Sequence, residues 1–286
     1  MSMKKTFLAL MVLFLCFSFN IHAAQNKGKV LVIMSNADKL KLKDGKTADT
    51  GFFLNEFAIP AREILDAGYE IVVATPQGKK PVMDKDSKNL IFFQNDLKKM
   101  DEAQKVADQI LIGKNIQKLS NVADGNLKEY AGVFIPGGHA PLTDLMVDPS
   151  VGKILAYFHE NNKPTAMLCH GPIAVISTLE EPDVFRRRLV AGNKGAAEKL
   201  AKGWIYTGYD MTIFSTDEEK AAEKNKLHGN VEFYPEDALK IAGAKIKNGA
   251  ANESNIVQDR ELITGQNPAS DSDLVRALVK AMDKNT

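Results

Sequence analysis

The residues best placed to do chemistry lie in the run Ala166-Met167-Leu168-Cys169-His170-Gly171-Pro172. An apolar strand meets a Gly-Pro turn here, and the apolar stretch 173–179 beyond it reads as a helix. A tight turn at the carboxyl end of a strand lifts a side chain clear of the sheet, where α/β folds hold their ligands, and so presents Cys169 as a nucleophile. The following helix would aim free N–H groups and its positive end at the sulfur, lowering the thiol pKa. The His170 side chain faces away from the sulfur unless the backbone bends, while its N–H suits an oxyanion formed beside the sulfur. A free cysteine is commonly inert packing; its position before His-Gly-Pro at a strand end assigns this one to chemistry.

A second turn of the same kind is Phe134-Ile135-Pro136-Gly137-Gly138-His139-Ala140-Pro141. Gly137 and Gly138 allow a backbone amide to face a ligand with no side chain in the way. For His139, a loop histidine without chemistry and a substrate-facing histidine are both open readings.

The chain of 286 residues is 44% hydrophobic and 26% charged, the balance of an ordinary globular α/β protein. Lys4 and Lys5 precede an apolar run over 7–19 and small residues at Ala23 and Ala24, the grammar of a secretory signal peptide too short for a stable membrane span. We expect residues 1–23 to be cleaved and the domain 24–286 to be periplasmic or secreted. Loss of Lys4 and Lys5 takes the formal charge from +1 to −1, which argues against electrostatic binding of nucleic acid or an anionic membrane. Cys16 leaves with the signal, so Cys169 is the lone thiol of the mature chain. An internal disulfide, a two-cysteine oxidoreductase and a cysteine-cluster zinc protein are thereby excluded.

The elements that must position these groups follow from short apolar runs at 29–35, 69–75, 132–135, 164–168 and 261–264, each bounded by turn residues and read as a buried strand. Helical stretches alternate with them at 57–67, closed by Gly68, and at 151–160, with a final amphipathic helix over 270–282. The pattern predicts one mainly parallel, flavodoxin-like sheet covered by helices on both faces. Residues 79–128 and 180–232 read as helical insertions into that single domain. Pro60 is best tolerated in a first helical turn, which sets Glu56 at or just before the helix start.

Taken together and in order, these pieces resemble the ThiJ/PfpI superfamily, within the class I glutamine amidotransferase-like fold, and in it the cofactor-independent glyoxalase III branch, some of whose members are described as stress-inducible chaperones. The resemblance rests on 29–35, Thr50-Gly51-Phe52 through Glu56, 69–76, Asp84-Lys85-Asp86-Ser87, Pro136 to His139, the Cys169-His170-Gly171-Pro172 elbow, and Leu262-Ile263-Thr264-Gly265-Gln266-Asn267-Pro268. It implies a Cys169–His170–acid constellation and a separate glutamate, Glu56, beside the sulfur. The acid should come from Asp217, Glu218 or Glu219, of which Glu219 is favoured.

The same resemblance implies an α-oxoaldehyde substrate such as methylglyoxal, with Gly137, Gly138, His139 and Gly171 around it, no cofactor and a homodimer. The export signal and the helical stretch 186–202 depart from those relatives. Some relatives bind zinc, but His159 and His228 lack metal-ligand spacing, and no metal is expected. A cysteine peptidase or amidase, a holdase chaperone, a protein deglycase and a cysteine redox sensor are the competing readings.

Overall fold

Strand β1 (Lys29–Ile33) shows how the sheet is built: Val30 and Val32 face one core while Leu31 and Ile33 face the other. Alternation with both faces apolar is what a strand needs when helices cover it twice. The computed structural model describes residues 27–285, and the expected export segment lies outside them. β1 is joined by β2 (Glu70–Thr75), β3 (Gln117–Lys118), β4 (Tyr130–Ile135), β5 (Thr165–Leu168), β6 (Ile256–Asp259) and β7 (Leu262–Gly265). These form a seven-stranded sheet in the order β6-β7-β5-β4-β1-β2-β3. Every neighbour pair is parallel except β6 with β7.

Helices α1 (Leu54–Asp66), α2 (Leu97–Ile110) and α5 (Asp271–Asp283) cover one face, burying Phe57, Ala107 and Leu278. On the other, α3 (Pro149–Glu160) lies with the helical turns Gly171–Thr178, burying Ile154, Phe158 and Ile176. A further helix, α4 (Thr216–Ala222), opens with a capping box in which Ser215 and Glu218 satisfy each other's backbone N–H groups. Among the described residues, no helix is long and apolar enough to cross a membrane.

The chain runs from β1 outward to β2 and β3, then returns to the other side of β1 for β4 and β5. The reversal opens a crevice at the carboxyl ends of β1, β4 and β5, the place where such sheets bind ligands.

Four expectations are corrected. The segment after Cys169 is a 3₁₀ helix, Gly171–Thr178, because Ile173 and its neighbours are buried all round and follow the tight Gly-Pro turn. α1 begins at Leu54, not at residue 57, since the extended chain ends where Phe52 bridges Met83. Pro60 therefore lies in the helix interior and Glu56 in the first turn; what Pro60 forfeits is a bond to the Glu56 carbonyl. The insertion 79–128 is not wholly helical, as it supplies the edge strand β3.

Phe158 is fully buried on the face that carries α3. Phe158→Ala should cost about 3–5 kcal/mol in a urea or thermal melt, whereas Ile91→Ala, at a residue 66% exposed, should change stability by less than about 0.5 kcal/mol.

Candidate active site

Cys169 adopts φ of 59°, the left-handed region that side chains other than glycine's avoid. Such a conformation costs on the order of 1–3 kcal/mol and persists only where the surroundings hold it. Here its N–H donates to the Gly265 carbonyl at 2.9 Å and its C=O accepts from the Phe214 N–H at 3.0 Å. The sharp bend brings Nδ1 of the next residue, His170, to 3.3 Å from the sulfur, so the two consecutive side chains converge.

Glycines give this bend its room. A Cβ on Gly137 would lie 2.4 Å from a Glu56 oxygen and 2.5 Å from Cys169 Cβ. Gly138 has φ of +89°, and a Cβ there would stand 2.0 Å from the Gly51 carbonyl oxygen. At Gly171 a Cβ would meet the Ile135 carbonyl at 2.6 Å, so that glycine serves the packing of the elbow on β4.

Glu56 is fully buried beside the sulfur. Neither of its oxygens has a hydrogen-bond partner of normal geometry. Burial pushes its pKa up to about 8, and the nearby thiol and the Gly137 N–H oppose only part of that rise. Burial also pushes the Cys169 thiol up, with Glu56 adding to it and the Gly138 N–H opposing. The expected lowering of the thiol by a helix end is thus not what the fold provides. A short 3₁₀ turn has a weak dipole, and burial next to a carboxyl outweighs it. At neutral pH the pair rests as a thiol beside a protonated carboxyl.

Glu219 receives two histidines. His170 Nε2 lies 2.7 Å from Oε2, and His139 Nε2 lies 2.8 Å from Oε1. Burial alone would raise the Glu219 pKa, but His139 and then His170 outweigh it and hold this carboxyl well below the usual range. An ionised carboxylate only accepts, so both rings carry their proton on Nε2. That tautomer leaves the His170 Nδ1 lone pair facing the thiol, as a general base requires. The His139 Nδ1 is buried with no partner. Burial, then His170, whose ring centroid lies 4.0 Å away, lowers the His139 pKa to about 4.

The other candidate acids have different duties. Asp217 is 89% exposed. Glu218 caps α4 and accepts from Gln266, Asn267 and the Asn252 N–H, tying the family-like Gly265-Gln266-Asn267 segment to α4.

His139, His170 and Glu219 each offer a ligand atom within 4.8 Å of the others, so they have the donor types a metal would use. Their short contacts to one another already serve as hydrogen bonds. His159 belongs elsewhere: its Nδ1 lies 2.8 Å from Glu261 and 3.1 Å from the Tyr209 hydroxyl. His228 is an exposed left-handed residue. Sequence reasoning missed the ring of Phe214, which packs 4.6 Å from His170, and it had no means of joining His139 to Glu219. The cavity of about 740 Å³ between α1 and α2 is lined by Ile59, Arg62, Phe92 and Asp271 and is separate from this cluster.

The family model described as DJ-1/PfpI matches residues 47–281, spanning Glu56, the Gly137–Gly138 turn, the elbow and Glu219. The chain belongs to the DJ-1/PfpI family. Among curated relatives, the Protein/nucleic acid deglycase HchA of Staphylococcus aureus strain bovine RF122 / ET3-1 is 29% identical over 264 residues, 90% of this chain and 80% of that one. Solved structures of similar fold include Rapid Encystment Protein 24 KDa of Francisella tularensis, with TM-score 0.69 and 23% identity over 89% of this chain and 99% of that one. Glyoxalase III of Candida albicans aligns with TM-score 0.62 and 21% identity over 90% and 98% of the two chains. These two likenesses show a shared fold.

The raised Glu56 pKa fixes the sign of a pH effect on stability. A carboxyl that titrates near 4.3 unfolded and at about 8 folded favours the native state below the lower value, and that advantage drains away as pH rises to the upper one. Glu56→Gln should therefore gain on the native protein in denaturant melts between pH 5 and 9, by on the order of a few kcal/mol at the alkaline end. Equal pH dependence in the two proteins would refute the assignment.

Proposed function

We propose that this protein is a glutathione-independent glyoxalase that converts a small α-oxoaldehyde such as methylglyoxal into a 2-hydroxy acid. The observation that carries the reading is the pairing, on either side of one thiol, of a neutral carboxylic acid and an imidazole with its free lone pair toward the sulfur.

As the Cys169 sulfur adds to the aldehyde carbon, its proton passes to His170 Nδ1 and Glu56 protonates the carbonyl oxygen, giving a hemithioacetal. Glu56, now a carboxylate, takes the proton from carbon 1, and the electron pair moves toward carbon 2. The imidazolium returns its proton to the carbon 2 oxygen, forming an enediol. Glu56 then protonates carbon 2 while His170 removes the proton from the carbon 1 hydroxyl. Carbon 1 is oxidised as carbon 2 is reduced, and a 2-hydroxyacyl thioester remains. The Glu56 carboxylate then takes a proton from the attacking water while the His170 imidazolium protonates the departing sulfur, which releases the acid and restores the resting thiol, carboxyl and imidazole. The Gly138 and His170 N–H groups are the donors for oxygen on carbon 1. His139 acts through Glu219, holding the carboxylate that orients His170.

A second reading has a specific support: the curated relatives carry the name protein/nucleic acid deglycase. Removing a dicarbonyl adduct from an amine or base begins with the same sulfur attack. The mature charge balance bears on docking a polyanion, not on whether a modified base reaches the thiol. A peptidase is disfavoured, since Cys169 is only 3% exposed. We also propose export, supported by Lys4, Lys5 and the apolar run that follows, and self-association as a homodimer, supported only by the family resemblance.

Purified protein given methylglyoxal without glutathione should consume the dicarbonyl and form lactate. Cys169→Ser should abolish turnover, and Glu56→Gln should lower kcat by about 10²–10⁴-fold with the fold retained. Full activity in Cys169→Ser would exclude the reading, as would a well-folded native enzyme that forms no lactate.

A further inference from the structure

Lys226 is the cation that the mechanism above leaves unused. It sits in the π-helical turn Glu223–Leu227, directly beyond the helix α4 that carries Glu219. Turns of this kind reposition a side chain by one residue and recur at functional sites. Here the turn delivers Lys226 Nζ to 2.6 Å from Asp84 Oδ2 and to 4.7 Å from the centre of the Phe53 ring. Only 14% of the Lys226 side chain and 4% of that of Asp84 are exposed.

Both partners adjoin the active site by other routes. Phe53 caps the helix in which Glu56 occupies the first turn. The Asp84 N–H bonds the Phe52 carbonyl at 2.9 Å, next to the Gly51 carbonyl that abuts Gly138. Lys226 thus joins the acid loop, the oxyanion turn and the glutamate helix at one point. Its charge reaches both Glu56 and His139, whose protonation it disfavours. An ammonium has three N–H donors, and Asp84 occupies one.

We propose that Lys226 is the substrate-recognition cation of this site, with its remaining donors receiving the electron-rich oxygen on the carbon next to the aldehyde. The inference rests on the glyoxalase reading and sharpens its substrate class: α-oxoaldehydes whose second carbon carries a polarised ketone oxygen, with or without a carboxylate attached beyond it. Asp84 holds the ammonium at the rim and moderates its charge, so that neutral dicarbonyls are accepted beside anionic ones.

Alkylation of Cys169 tests this without turnover. Iodoacetate and iodoacetamide present the same reacting carbon beside a carboxylate or a neutral amide, so the ratio of their rates reads the charge felt by that oxygen and not the openness of the site. Lys226→Met should lower the iodoacetate-to-iodoacetamide ratio by at least about threefold, and Asp84→Asn should raise it. Because Lys226→Met leaves Asp84 buried without its partner, the double variant Asp84→Asn with Lys226→Met supplies a neutral pair and should show the same lowered ratio. A ratio unchanged in all three variants overturns the proposal, as does a ratio that moves the same way in Asp84→Asn and Lys226→Met. Failure of lactate formation with the predicted ratios intact would remove the glyoxalase reading and leave the anion-recognising site standing.

Discussion

A thiol and a carboxyl are pressed together beneath the surface, and the surroundings can support at most one negative charge between them. Burial raises the pKa of both groups, and Glu56 raises the thiol further, while the thiol's hydrogen bond offsets only part of the rise at Glu56. The rest of the site answers that constraint. Gly137 has no side chain because the carboxyl and the cysteine occupy its space. The elbow accepts a left-handed cysteine so that the sulfur can stand between Glu56 and His170. A carboxylate on Nε2 of His170 fixes the tautomer whose Nδ1 lone pair faces the sulfur. A thiol that is not ionised at rest is protected from adventitious oxidation, and it becomes nucleophilic when a substrate oxygen can take the Glu56 proton.

The parallel sheet supplies the positioning. The catalytic pieces follow β1, β4 and β5, adjacent strands whose carboxyl ends meet where the chain reverses direction across the sheet. The long-range ties that fix the elbow are backbone bonds from β7 and from the loop before α4, at Gly265 and Phe214. Glu218 and Glu219, neighbours in sequence, divide the labour: one anchors α4 to the Gln266-Asn267 segment and the other faces the histidines.

Buried strands such as Val30 to Ile33 were legible because both faces of the sheet demand apolar side chains, and the elbow was legible because Cys-His-Gly-Pro follows such a strand. The two-residue strand Gln117–Lys118 was not, since an exposed edge carries no apolar signature. The direction of the Cys169 pKa is not legible in the sequence, because it depends first on burial and then on Glu56, more than a hundred residues away, and not on the local helix end. His139 as a second partner of Glu219 is likewise a tertiary fact, as is the arrival of Lys226 through a π-turn. Helix-start arguments placed Glu56 close to its true position although Pro60 lies deeper in α1 than helix propensity favours.

The protonation state of Glu56 is the centre of this account, and infrared difference spectroscopy of the carboxyl C=O stretch between pH 6 and 10 measures it directly. The Glu56→Gln variant is the reference, since Asp271 is also raised by burial, to about 6. A band of a protonated, weakly hydrogen-bonded carboxyl that is present at pH 7, lost near pH 8 and absent from Glu56→Gln is the predicted result. A Glu56 carboxylate already ionised at pH 6 would contradict it.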